Sequence, residues 1–216
     1  MKKILLIVVI AAGFNLMQGA ILQAKDITES RDLSAFNKIA VEGAEASLKV
    51  TVGGDFSVTL SGEDDWMGKI FTRVEEGTLI ISRKNKNKNI HFTSDNKIII
   101  TMPKFTGLEI NGAVDAHISH IDSDKLSFEV NGAGNINVSG KCAKLNVTLN
   151  GAANFEGEKL ICEDVNAVIN GVGNIETYGS KTADLTINGM GNIDLYGNPE
   201  KVTKDKSLFS NITIHK

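Results

Sequence analysis

The stretch FEVNGAGNINV at 128–138 is one of five near-copies. LEINGAVDAHI at 108–118 precedes it, and VTLNGAANFEG at 147–157, AVINGVGNIET at 167–177 and LTINGMGNIDL at 185–195 follow. The leading asparagine falls at 111, 131, 150, 170 and 188, at intervals of 20, 19, 20 and 18 residues. A degraded sixth copy, SLFSNITI at 207–214, extends the series. Self-similarity at this period marks stacked units, each covering the hydrophobic face of its neighbour. The period is too short for a helical repeat, and the two leucine-rich segments of a leucine-rich repeat are missing.

Within a unit the apolar residues alternate: Leu126, Phe128 and Val130; Leu145, Val147 and Leu149; Val165, Ala167 and Ile169; Ala183, Leu185 and Ile187. After each motif a second short run follows, such as Ile136 with Val138 or Ile193 with Leu195. Short alternating runs are half-buried strands. Two or three of them per period describe one coil of a parallel β-helix or β-solenoid, each coil pairing with the next about 4.8 Å along the axis. The chain is therefore predicted to be all-β, with 108–216 forming a β-solenoid of about five to six coils.

Stacking then aligns one corner: Asn111-Gly112, Asn131-Gly132, Asn150-Gly151, Asn170-Gly171 and Asn188-Gly189. The glycines are expected at positive φ, a region asparagine also tolerates. The five asparagines are expected to bond one another in a ladder, with Asn135, Asn154, Asn174 and Asn192 forming a second. Cys142 and Cys162 each lie eight residues before a motif asparagine. That shared offset puts them on adjacent coils within about 7 Å, as a disulfide or as a stacked pair of thiols. Ser123 and Ser180 hold the same offset in neighbouring units.

Residues 25–107 read as an irregular β-rich part of the same domain. Apolar residues alternate through Ile39 and Val41, Leu48 to Val52, Phe56 to Leu60, Leu79 and Ile81, and Ile98 to Met102, without a visible period. Only EDDWMGKIF at 63–71 suits a short helical turn. At the start, Lys2 and Lys3 precede an apolar run, Ile4 to Met17, of 14 residues, too short to span a bilayer. With the small Ala24 before polar KDITES, 1–24 reads as a secretory signal peptide. The first cysteine is Cys142, far from that site, which speaks against a lipid anchor. No later apolar run reaches membrane-spanning length, so a soluble exported chain is expected. Without Lys2 and Lys3 the balance is 21 basic against 26 acidic residues, which offers nothing to nucleic acid.

The motifs NGAGNI, NGVGNI and NGMGNI resemble the repeated signature of the auto-transporter adhesin head domain, or GIN domain, family (domain of unknown function 2807). FNKIAVEGAEASLKVTVGGDFSVTLSG and VEEGTLIISRK are similar to that family's opening strands, so the resemblance spans about 33–214. It implies an exported, right-handed β-helix-like protein of Bacteroidetes-type bacteria with an adhesin role, and no catalytic residues carry over. Many relatives place aspartate where this chain has Asn135, Asn154, Asn174 and Asn192; here only Asp115 is acidic. Neutral amides lack the charge that acidic solenoid repeats use for Ca²⁺, so no metal and no cofactor is expected.

The sequence offers few residues placed for chemistry. A β-helix lyase or hydrolase needs paired carboxylates or a base beside a metal on one face. The pairs Asp122 with Asp124 and Glu163 with Asp164 sit where loops are expected and have no recurring basic partner. His117 and His120, three apart, point to opposite faces of a strand. His91 and His215 have no visible partners. Lys84, Lys86 and Lys88 alternate as one face of a strand, either a small basic patch for anionic groups or a charged edge. Tyr178 and Tyr196 each lie eight residues after a motif asparagine and should stack on adjacent coils, as a packing pair or a sugar platform. The expected function is a non-catalytic, adhesin-like module of the envelope or cell surface, binding a protein or glycan through a solenoid face. The alternatives are a periplasmic structural or signalling partner and, further off, a carbohydrate-active enzyme.

Overall fold

The computed structural model describes residues 27–83 and 96–215. The N-terminal segment 1–26 and the stretch holding Lys84, Lys86, Lys88 and His91 lie outside them. In chain order the elements are β1 (Ile27–Ser30), β2 (Lys38–Val52), β3 (Ser57–Gly62), helix α1 (Asp64–Met67), β4 (Ile70–Glu75), β5 (Thr78–Arg83) and β6 (Lys97–Met102). They continue as β7 (Gly107–Val130), β8 (Ala133–Leu149), β9 (Ala152–Ile169), β10 (Val172–Ile187), β11 (Met190–Tyr196), β12 (Lys201–Lys206) and β13 (Ser210–Ile214).

From β7 onward every pairing is parallel and runs to the next coil: β7 to β8, β8 to β9, β9 to β10, β10 to β11 and β12, and β11 to β13. The result is a β-solenoid of about five turns. Because the pairing is in register, the period of the sequence becomes a set of columns in space. Leu126, Leu145 and Val165 form one inward column; Phe128, Val147 and Ala167 form the next. All are at most 3% exposed, so a single continuous core fills the coil. Phe105, Phe128 and Phe155 form an aromatic chain through it, with ring centroids 5.9 and 5.0 Å apart.

The N-terminal part extends the same stack. β2 pairs with β7 on one side and with β5 and β6 on the other, all in parallel. Antiparallel strands then join that end: β4 on β5, β3 on β6 and β1 on β3. The short helix α1 sends buried Trp66 and Met67 into the core, and the Trp66 indole N–H donates to the Glu45 carbonyl at 3.4 Å. Antiparallel strands and a helical turn finish the N-terminal end of a parallel stack whose last strand would otherwise present an open row of backbone groups.

The corner glycines behave differently from the sequence expectation. Among the described glycines, positive φ occurs at Gly43, Gly53, Gly62, Gly77, Gly140, Gly191 and Gly197, and not at Gly132, Gly151, Gly171 or Gly189. What requires glycine there is proximity. A Cβ on Gly132, Gly151, Gly171 or Gly189 would fall well under 3.0 Å from the carbonyl oxygen of the corner glycine one coil earlier. The absent side chain lets the backbone keep its bonds through the corner. Asn150 N–H donates to Val130 O at 2.8 Å and Ala152 N–H to Gly132 O at 2.9 Å.

Candidate functional site

The outer surface is built of rows that repeat at the coil spacing, so each exposed motif position becomes a line of like side chains. The first line is an amide ladder. The side-chain N–H of Asn131 donates to Asn111 at 3.0 Å, Asn150 to Asn131 at 2.7 Å, Asn170 to Asn150 at 2.8 Å and Asn188 to Asn170 at 2.8 Å. Four residues on, the second ladder runs from Asn192 through Asn174, Asn154 and Asn135 to Asp115, at 2.9 to 3.0 Å. All the donors point toward the N-terminal end. Asp115 is acceptor-only and closes its ladder at the end to which the positive ends of the amide dipoles point. The first ladder ends similarly: Asn111 donates to Glu109 at 3.1 Å, and Lys38 holds Glu109 at 3.1 Å. These two donors hold the Glu109 carboxyl below its ordinary range.

Between the ladders runs an exposed line of Ala113, Ala133, Ala152, Val172 and Met190. Two shallow depressions stand out among the described residues. One of about 230 Å³ lies on this line against Glu45 and Asp115, and one of about 320 Å³ sits by Phe36 and Phe56.

Cys142 and Cys162 are register partners on β8 and β9, and a disulfide joins them with Cα atoms 4.5 Å apart. It staples two adjacent coils from inside the core, where both residues are buried. Ser123 occupies the same column on β7, whereas Gly179, not Ser180, faces Cys162 from β10, because the register slips between Gly179 and Thr182.

Tyr178 and Tyr196 are register partners, but their rings do not form the expected pair. Tyr196 stacks on His215, with centroids 4.5 Å apart and planes at 12°, while the Tyr178 ring lies against Gly197. With exposed Ile161, the partner of Tyr178 on the preceding coil, they make a partly apolar strip. Beside it, at six residues after the motif asparagine, Glu156, Glu176 and Asp194 stack in register. His215 Nε2 meets Asp194 Oδ1 at 2.8 Å, and the Asn137 amide donates to Glu156 at 2.8 Å. Burial, then the charges of Glu156, Asp194 and Glu158, push the Glu176 carboxyl above its ordinary range. Burial and the carboxylates of Glu158, Glu176 and Asp194 likewise raise the Tyr196 phenol. Sequence reading singled out the tyrosines and missed the acids; their shared offset from the motif was the available signal.

The remaining candidates are dispersed. Asp122 and Glu163 lie within strands rather than loops, and each faces a lysine of the next coil: Lys141 at 3.1 Å and Lys181 at 2.6 Å. Asp164 accepts from the Thr182 hydroxyl at 2.7 Å. His120 turns a corner at φ 61° and its Nδ1 contacts the Ser119 hydroxyl at 3.1 Å. Among the described residues no three His, Cys, Asp or Glu side chains converge as a metal site, and no helix is long and apolar enough to cross a membrane.

Comparison with known proteins gives a consistent result. The family model "Putative auto-transporter adhesin, head GIN domain" matches residues 35–199. Among solved structures, the chain is similar to a "putative adhesin" from Bacteroides fragilis at 27% identity and a TM-score of 0.74, covering 89% of this chain and 98% of that one. It also resembles in fold a "putative lipid binding protein" from Parabacteroides distasonis, at 18% identity and a TM-score of 0.50, covering 89% and 97%. No curated protein matches the sequence.

Proposed function

The chain belongs to the auto-transporter adhesin head, GIN domain, family, and from that premise we propose that it is a non-catalytic, adhesin-like binding module of the cell envelope or cell surface. It engages a protein or glycan with an outer face of the solenoid rather than a cleft. The observation that carries this reading is the surface itself: straight rows of identical or similar side chains, such as Asn131, Asn150, Asn170 and Asn188, repeated at coil spacing over an exposed sheet. Such a surface presents the same chemistry several times along one line, which suits an extended partner. Export is supported by the basic-then-apolar start of the sequence and by the Cys142–Cys162 disulfide, which persists in oxidising compartments.

The test is to present the exported protein to a glycan array and, in parallel, to use it as bait in an envelope extract. Saturable capture of a defined glycan or envelope protein, without chemical change to it, is the expected outcome. Turnover of a captured glycan that is lost when one acid, such as Asp122 or Glu163, is replaced would overturn the non-catalytic reading.

A further inference from the structure

We infer that the strip formed by Ile161, Tyr178, Tyr196 and His215, with Glu156, Glu158, Glu176 and Asp194 beside it, docks a lysine- or arginine-rich peptide segment of a partner protein. The inference rests on the binding-module reading and names the face and the partner's chemistry.

In register on adjacent coils, Glu156, Glu176 and Asp194 follow one another at about 4.8 Å, and like charges directly opposite each other across strands are destabilising. Two residues earlier, the same coils place neutral Asn154, Asn174 and Asn192, which bond one another. The fold therefore has a stacking solution for this surface and does not use it at the acidic positions. Nor are these acids neutralised as others are. Lysines answer Asp122, Glu163 and Glu109 from across the sheet, and Arg73 answers Glu42 and Glu75. Among the described residues, Glu158 and Glu176 have no hydrogen-bonding or ion-pair partner, and no lysine or arginine, nearby Lys159 included, pairs with any of the four. His215 at Asp194 is the single titratable base in contact.

The strip beside them decides what kind of cation fits. The column that carries the salt-bridged Asp122 and Lys141 continues as Ile161, Tyr178 and Tyr196 and ends on the stacked His215. Ile161 is 45% exposed, an apolar side chain left open next to a row of charge. Lysine and arginine combine an apolar stem with a charged head, and would lay the stem on Ile161 and the tyrosines while the head reaches the carboxylates. A compact divalent ion does not match, because no three of these acids converge. Charges spread along the solenoid axis match a chain that carries several cations.

The experiment titrates the exported protein with a labelled peptide of alternating lysine and glycine, a glutamate-glycine peptide and an uncharged β-linked oligosaccharide. Three proteins are compared: wild type, Glu156→Gln/Glu176→Gln/Asp194→Asn, and an equal charge change on β10, on β12 and at the residue entering β12, Asp184→Asn/Glu200→Gln/Asp205→Asn. The lysine peptide should bind wild type and the distant variant alike, and lose about tenfold in affinity in the strip variant, the scale of a few exposed ion pairs. Added salt should weaken it. The strip variant should melt no lower than wild type, which separates lost binding from lost folding. Equal affinity for all three proteins, or preference of wild type for the oligosaccharide or the acidic peptide, overturns the inference. If the strip variant still captures the envelope partner, the inference fails and the binding-module reading stands; if wild type captures nothing in any arm, both fall.

Discussion

Replacing Gly151 by alanine tests the physical reason for the corner motif. Its Cβ would point at the Gly132 carbonyl oxygen from well under 3.0 Å, whereas non-bonded heavy atoms in contact settle about 3.5 Å apart. The two coils must part by about 1.5 Å locally, because the obstacle is backbone and cannot rotate away. Parting them breaks or stretches the bonds that cross the corner. These are Ala152 N–H to Gly132 O at 2.9 Å, Gly151 N–H to Val130 O at 3.2 Å, and the Asn150 to Asn131 amide bond at 2.7 Å. At about 1 kcal/mol each, the loss is about 3 kcal/mol. Urea denaturation of Gly151→Ala, Gly151→Asn and Gly43→Asn measures it. Gly43 has φ 63° with nothing within 4 Å of its missing Cβ, so asparagine, which tolerates that backbone, should cost little there. At Gly151 asparagine should be at least as harmful as alanine. An unchanged midpoint for Gly151→Ala, or a clear rescue by asparagine, would refute the close-approach argument and restore the φ explanation.

The ladder should be weakest when cut in the middle: Asn150→Ala removes bonds to both Asn131 and Asn170 and should cost about 1–2 kcal/mol, against about half that for Asn188→Ala at the end, both read from denaturant midpoints. Unreduced protein should show no titratable thiol, and Cys142→Ser/Cys162→Ser, which opens a loop of sequence separation 20, should lose about 3 kcal/mol while still folding. Glu176 holds its proton more tightly folded than unfolded, so its contribution is favourable below the ordinary carboxylate value and is lost as pH rises through the raised folded value. Glu176→Gln should therefore raise the melting temperature at pH 7 more than at pH 4, and an equal gain at both would contradict the assignment.

Much of the molecule was legible because parallel, in-register stacking converts sequence period into spatial columns without any long-range choice. The interval of about 19 residues placed Asn131 over Asn111 and Cys162 over Cys142, and alternation alone separated core Phe128 and Val147 from exposed Glu129 and half-buried Thr148. Where the repeat is absent, this logic gives nothing. The position of β5 and β6 on the far side of β2, opposite β7, follows no sequence period and depends on where a non-repeating chain finds an unpaired edge.

By itself the sequence determined the solenoid, the register of its motif strands and the two amide ladders, since each is a property of one repeating unit copied along an axis. Only the tertiary structure decided why the corner must be glycine, which partner Tyr196 stacks on, and that the row of Glu156, Glu176 and Asp194 meets no lysine or arginine among the described residues. Those properties depend on distances between atoms of different coils. The sequence says which residues are neighbours along the axis; it does not say how closely their backbones approach, or which side chains lean across to fill the space.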